Sequence, residues 1–93
     1  MFTGIIEATG RISAINVNSQ GARVVVQSNT LDMSDVRLGD SIATNGVCLT
    51  VVAFDSQSFS ADVSSETLTR TGFTDYRVGT AVNLEKAMLA STR

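Results

Sequence analysis

The sequence predicts an all-β protein, a small closed antiparallel barrel or sandwich of five or six short strands. Three observations carry that expectation. Apolar and polar residues alternate over short runs rich in Val, Ile and Thr, as half-buried strands require. Turn signals built on Gly, Asn, Asp and Ser separate the runs, and the chain has no Pro. With 93 residues there is room for one core and not two, so closure is the economical way to remove exposed strand edges.

Taken in order, residues 2–17 read as a long first strand. Glu7, Thr9 and Arg11 lie on one side, Ile6, Ala8, Gly10 and Ile12 on the other, with Gly10 as the expected bulge or bend. Asn18-Ser19-Gln20-Gly21 is a turn, and residues 22–28 return as the second arm of a hairpin. Residues 29–35 fit one helical turn or a loop equally well. Val36-Arg37-Leu38-Gly39 has an echo forty residues later in Tyr76-Arg77-Val78-Gly79, each followed by a turn and a new strand. One such echo reads as the same turn chemistry used twice, with Gly supplying the backbone angle.

Ser41-Ile42-Ala43-Thr44-Asn45-Gly46-Val47-Cys48-Leu49-Thr50-Val51-Val52 is the stretch around which the rest is arranged. Asn45-Gly46 is a strong tight-turn signal, because both residues tolerate positive φ. On the strand that follows, Val47, Leu49 and Val51 share a core face, and Cys48, Thr50 and Val52 share the other. After a turn at residues 55–57 comes a strand over residues 58–63, with Phe59, Ala61 and Val63 inward and Ser58, Ser60, Asp62 and Ser64 outward. Residues 64–71 then form a short helical turn, N-capped by Ser64 or Ser65, with Glu66 in its first turn and Gly72 ending it. A last strand spans residues 80–85, and residues 86–93 form a helical or frayed tail.

Composition excludes several classes of function. Seven basic and nine acidic residues give a net charge of −2 without a basic cluster, which argues against nucleic acid as partner. No apolar run approaches the roughly 20 residues of a membrane span. The first residues, Met1-Phe2-Thr3-Gly4-Ile5-Ile6-Glu7, lack the pattern of a secretory signal, so a cytoplasmic location is expected. One Cys and no His rule out an internal disulfide, the usual zinc constellations and the Ser-His or Cys-His nucleophile pairs. A complete catalytic site must use other residue types or borrow groups from elsewhere.

The motifs Met1-Phe2-Thr3-Gly4-Ile5-Ile6, Asn45-Gly46-Val47-Cys48-Leu49-Thr50-Val51 and Ser65-Glu66-Thr67-Leu68-Thr69-Arg70-Thr71, then Arg77-Val78-Gly79 and Val82-Asn83-Leu84-Glu85, together resemble the N-terminal barrel of the riboflavin synthase family of the α-chain type. The resemblance covers residues 1–93. It implies a closed Greek-key antiparallel β-barrel of about six strands with one or two short helical turns. It also implies a second, similar barrel in the whole enzyme and a trimeric assembly. The implied reaction converts two molecules of 6,7-dimethyl-8-ribityllumazine to riboflavin and 5-amino-6-ribitylaminouracil by four-carbon transfer, with no cofactor or metal. This sequence reads as the N-terminal half, expected to bind ligand with little or no turnover and to form a homodimer.

Carried over by motif, the ligand wall comprises Gly4, Ile5 and Ile6, then Cys48, Leu49 and Thr50, then Asp62, Val63, Ser64, Ser65, Glu66 and Thr67. Cys48 is the candidate nucleophile or proton-transfer group. Strand backbone, Thr50 and Ser64 would read the edge of the flat ring, and Glu66 and Thr67 the ribityl hydroxyls. Each residue also has a plainer reading. A lone strand Cys is by default a small buried hydrophobe, Glu66 a helix-start carboxylate, Thr50 a good strand former, Ser41 a turn cap and Phe2 a barrel-end plug. Two other functions fit the residues: a non-catalytic lumazine- or flavin-carrying relative of the optical-protein type, and a plain interaction barrel.

Overall fold

A computed structural model describes residues 4–87, the side chain of Thr74 excepted. Six antiparallel strands close into a barrel in the order β1-β2-β5-β4-β3-β6: β1 Ala8–Asn18, β2 Gly21–Gln27, β3 Ser41–Thr44, β4 Val47–Phe54, β5 Ser58–Ser64 and β6 Ala81–Lys86. A short helix, α1 Ser65–Arg70, and a 3₁₀ turn, Gly72–Asp75, lie between β5 and β6. The long β2–β3 connection sets β2 beside β5, the Greek-key arrangement. Alternation places Ile12, Val24, Val26, Ile42, Val51, Phe59, Val82 and Leu84 inside. Leu31, Met33 and Val36 of the β2–β3 connection cover one end of this core, and Phe73 with Leu68 and Tyr76 covers the other. The buried Lys86 ammonium ties the first of these covers down, donating to Asp32 O at 2.8 Å and Asp35 Oδ1 at 3.0 Å.

Three local expectations change, and one open choice is decided. The first strand begins at Ala8 rather than at Phe2, because Gly4 at φ +81° takes the chain out of strand geometry and the Glu7 carboxylate occupies the Lys86 amide. Phe2 and the tail over residues 88–93 lie outside the described residues. The bulge sits between Ile12 and Ala14, not at Gly10. Gly10 serves close approach instead, since a Cβ there would lie 2.6 Å from Gln27 O. Thr71, in extended conformation, caps α1, and Gly72 opens the 3₁₀ turn, with Thr71 Oγ1 accepting from the Phe73 amide. Residues 29–35 form a loop.

The repeated turn proves to be one part of a larger repetition. Gly39 (φ +88°) and Gly79 (φ +94°) donate to Val51 O and Ile12 O, and the Val51 and Ile12 amides donate back to Asp40 O and Thr80 O. Each turn therefore docks where its target strand bulges, between Val51 and Ala53 or between Ile12 and Ala14. The docked turn occupies the backbone groups of that residue, and the strand absorbs the interruption with an extra residue. Exchanging β1 with β4, β2 with β5 and β3 with β6 leaves the strand order unchanged.

Candidate functional site

Asn45 (φ 50°) and Gly46 (φ 81°) both take positive φ, so β3 and β4 reverse through a two-residue turn of the primed type. That turn fixes the register, Ala43 opposite Cys48 and Ser41 opposite Thr50. Cys48 and Thr50 point out of the barrel and are exposed, as the alternation required, while Leu49 is buried at 2%. On the next strand Glu85 faces Ala43. With strands about 4.8 Å apart, Glu85, Ala43 and Cys48 form one row across the outer face, about 10 Å from end to end. Glu85 is buried there, and its Oε1 accepts the Gly4 amide at 3.1 Å. Gly4, Ile5 and Ile6 thus border the same face as Cys48, with Ile5 69% and Ile6 56% exposed.

The other edge of β4 is unusual. Ladder pairs with β5 run from Phe54↔Phe59 through Ala53↔Ser60 to Val51↔Ala61. Beyond that point β4 continues along β3 as far as Val47, and β5 continues along β2 as far as Ser64. Residues 47–50 and 62–64 therefore face each other across an interrupted ladder. Strand backbone directed toward this seam is the donor and acceptor array that can read the edge of a flat heterocycle.

Asp62, Ser64 and Glu66 are engaged elsewhere. The Asp62 carboxylate pairs with Arg23 of β2, whose guanidinium holds it below the usual carboxylate range, chiefly through their hydrogen bond. The pair borders a depression of about 490 Å³ lined by Asn18, Gln20, Gly21 and Ser64 on the β2 side of β5. Ser64 Oγ accepts the Thr67 amide at 3.1 Å and lies 3.0 Å from Thr67 Oγ1, so it caps α1. Glu66 is exposed and paired with Arg70 at 3.1 Å. The Ser65 amide donates to Gln20 O. Val63 is buried at 3%, so Val63 and Leu49 can offer a ligand only their backbone.

The structure brings Gly4, Ile5 and Ile6 together with Cys48 and Thr50 on one face, and sets residues 62–64 across the seam from β4. It does not turn the Asp62 carboxylate toward Cys48. Sequence reasoning gave Ser41 as a turn cap, Asn45 as a turn residue and Glu85 only as part of a motif, and placed none of them beside Cys48 and Thr50. Ser41 was legible, because a two-residue turn at 45–46 puts residue 41 opposite residue 50. Glu85 needed the long-range pairing of β6 with β3, for which no local signal exists. Among the described residues there is no cluster of three His, Cys, Asp or Glu able to hold a metal, and no helix long and apolar enough to cross a membrane.

Known proteins resemble this chain along its whole length. Over its full length the chain is 61% identical to riboflavin synthase of Photobacterium phosphoreum, 57% to that of Photobacterium leiognathi and 44% to that of Bacillus subtilis (strain 168). It spans 43% of the length of each of these relatives. The lumazine binding domain matches residues 3–87, a span that holds all six strands. The chain therefore belongs to the lumazine binding domain family.

Proposed function

We propose that this chain is the N-terminal barrel of a riboflavin synthase and binds one 6,7-dimethyl-8-ribityllumazine or one riboflavin in the β4–β5 seam. The observation that carries the ligand class is the match of the whole chain to 43% of the length of the riboflavin synthases. The interrupted ladder supports the mode of binding, with the ring edge against the backbone of residues 62–64, Cys48 and Thr50 on the opposite wall, and Ile5 and Ile6 supplying apolar cover. Glu66 and Thr67 at the start of α1 address the ribityl hydroxyls, which requires the exposed Glu66–Arg70 pair to open. Such a pair is worth little, so its opening is no obstacle.

In the complete enzyme two lumazines react and a four-carbon unit moves from one to the other, giving riboflavin and 5-amino-6-ribitylaminouracil. Donor and acceptor are the same compound, so the atoms balance without a cofactor or metal. Cys48, exposed beside the ring, acts as nucleophile or proton-transfer group. A second barrel must bring the second lumazine. One barrel therefore binds with little or no turnover, pairing with a copy of itself as a C₂ dimer where the whole enzyme is a trimer. The location is cytoplasmic, with neither nucleic acid nor membrane as partner.

A fluorescence titration of the chain with riboflavin, then with the lumazine, tests the reading. Saturation at about one ligand per chain without riboflavin formation from bound lumazine supports it, and no change with either ligand overturns it. Sedimentation of the liganded chain as a monomer at high concentration refutes the dimer. Full activity of Cys48→Ser in a two-barrel enzyme removes Cys48 from the chemistry.

A further inference from the structure

The hairpin that carries Cys48 ends in Asn45, which does more than turn the chain. The β3–β6 ladder stops at Thr44↔Leu84. One step further the Asn45 amide donates to Asn83 O at 2.8 Å, and Asn45 Oδ1 accepts the Asn83 amide at 2.7 Å. A backbone amide can only donate, so Oδ1 must face Asn83 and Nδ2 must face the other way. There Nδ2 donates to the Tyr76 hydroxyl at 2.7 Å. Tyr76 is itself held against the buried Phe73, ring centroids 4.6 Å apart. One exposed side chain thus joins the tip of the Cys48 hairpin to β6 and to the cover of the barrel end.

On the opposite edge of β4 the ladder to β5 is interrupted along residues 47–50. The position of this stretch is therefore set from the β3–β6 side, at whose end Asn45 sits. We propose that Asn45, with Tyr76, is a positioning residue that sets the width of the β4–β5 seam and the aim of Cys48 and Thr50. The proposal rests on the reading of that seam as the lumazine or flavin site. Turn formation alone asks only for positive φ, which glycine supplies at least as well. An asparagine whose carboxamide makes both of its bonds to distant elements is doing a second job.

Asn45→Gly separates the two jobs, since it keeps the turn and removes both side-chain bonds. Tyr76→Phe keeps the ring contact and removes one. The chain holds a single Cys, so a nitroxide on Cys48 reports the hairpin without ligand, by electron paramagnetic resonance. Expected is a more mobile label in Asn45→Gly than in the parent, with Tyr76→Phe between them. In the unlabelled variants riboflavin affinity falls about tenfold for Asn45→Gly and about threefold for Tyr76→Phe, as loss of two bonds or one implies. The fluorescence of the bound flavin at saturation should shift in the same order, which a general loss of stability would not produce. Parent-like label mobility and parent-like titrations in Asn45→Gly overturn the clamp. If circular dichroism shows Asn45→Gly unfolded, Tyr76→Phe decides by the same measurements. A parent chain that binds neither riboflavin nor lumazine defeats the ligand reading, while label mobility still decides whether the clamp exists.

Discussion

The two halves of the barrel, β1 to β3 and β4 to β6, repeat the same parts, and they differ where the ligand is proposed to enter. Each has a bulged strand, a return strand, a long connection, and an apolar-Arg-apolar-Gly turn docked on a bulge. In the first half the gap beyond the bulge is stitched shut. Ser28, buried, donates from Oγ to Thr9 O at 2.8 Å and accepts the Leu31 amide at 3.1 Å. In the second half Ser64 turns its hydroxyl into the cap of α1, and β5 parts from β4. Where one half closes its seam with a side chain, the other uses that chemistry to start a helix. The difference shows where a near-symmetric barrel departs from its symmetry: the second half leaves an edge open and adds α1, an element the first half lacks.

The largest expected effect breaks the closed half. Gly21 has φ +148°, and a Cβ there would lie 1.9 Å from Val63 O, backbone that cannot swing away. Gly21→Ala should cost about 3 kcal/mol or more, from strain and overpacking together. The corresponding turn of the second half holds no such glycine, so Gln57→Ala, at an exposed site, should stay within about 0.5 kcal/mol of the parent. Urea midpoints of the two variants measure the contrast, and equal losses would mean that the halves do not differ at their turns.

Next in size is the stitch itself. Ser28→Ala leaves the buried Leu31 amide without this partner and removes one of the two hydroxyls on the Thr9 carbonyl, at a cost of about 1–3 kcal/mol. Ser64→Ala removes an exposed cap, worth about 1 kcal/mol. Ligand binding should rank them the other way. Riboflavin affinity of Ser28→Ala should equal the parent's and that of Ser64→Ala should fall. Parallel titrations check this ordering, and the reverse ranking would place the site in the first half.

A smaller effect separates partners related by the repetition. Thr44 of β3 and Leu84 of β6 occupy matching places forty residues apart and face each other, both fully buried. Thr44 Oγ1 has no hydrogen-bond partner there. Thr44→Val removes an unsatisfied hydroxyl and should stabilise the chain by about 1 kcal/mol, seen as a higher Tm in a thermal melt. A lower Tm would show that the hydroxyl has a partner after all.

What the sequence made legible follows from locality. The Asn45-Gly46 turn, the alternation of β4 and β5 and the Ser64 cap are all set within a few residues, and each stands where the pattern put it. The Ile12 bulge was hidden because its cause, the docked turn at Gly79, is 67 residues away. Interruption of the β4–β5 ladder was hidden for a related reason. Residues 47–50 and 62–64 are good strand sequences, and nothing in either predicts that they fail to pair with each other. Cys48 and Thr50 were readable as one wall, whereas the commitment of Asp62 to Arg23 depended on cross-strand register.

The smallest effect tests the joint between the halves, where Arg23 of β2 meets Asp62 of β5. Hydrogen bonding to Arg23 lowers the Asp62 pKa below its ordinary 3.8. A carboxyl with a lower pKa in the folded state binds fewer protons folded than unfolded near that pH. Its contribution to stability is therefore complete above about 3.8 and is lost as the pH falls through the lowered value. Asp32 and Asp55 are lowered too, by bonds within their own loops to Ser34 and Gln57, so they form a common background in any variant at position 62. Asp62→Asn should lower the urea midpoint slightly at neutral pH and low salt, and less at high salt because the pair is exposed. Once the pH falls below that lowered value the parent and the variant should converge. A gap that persists in acid would mean that Asp62 holds the halves together by packing or neutral hydrogen bonds rather than by charge.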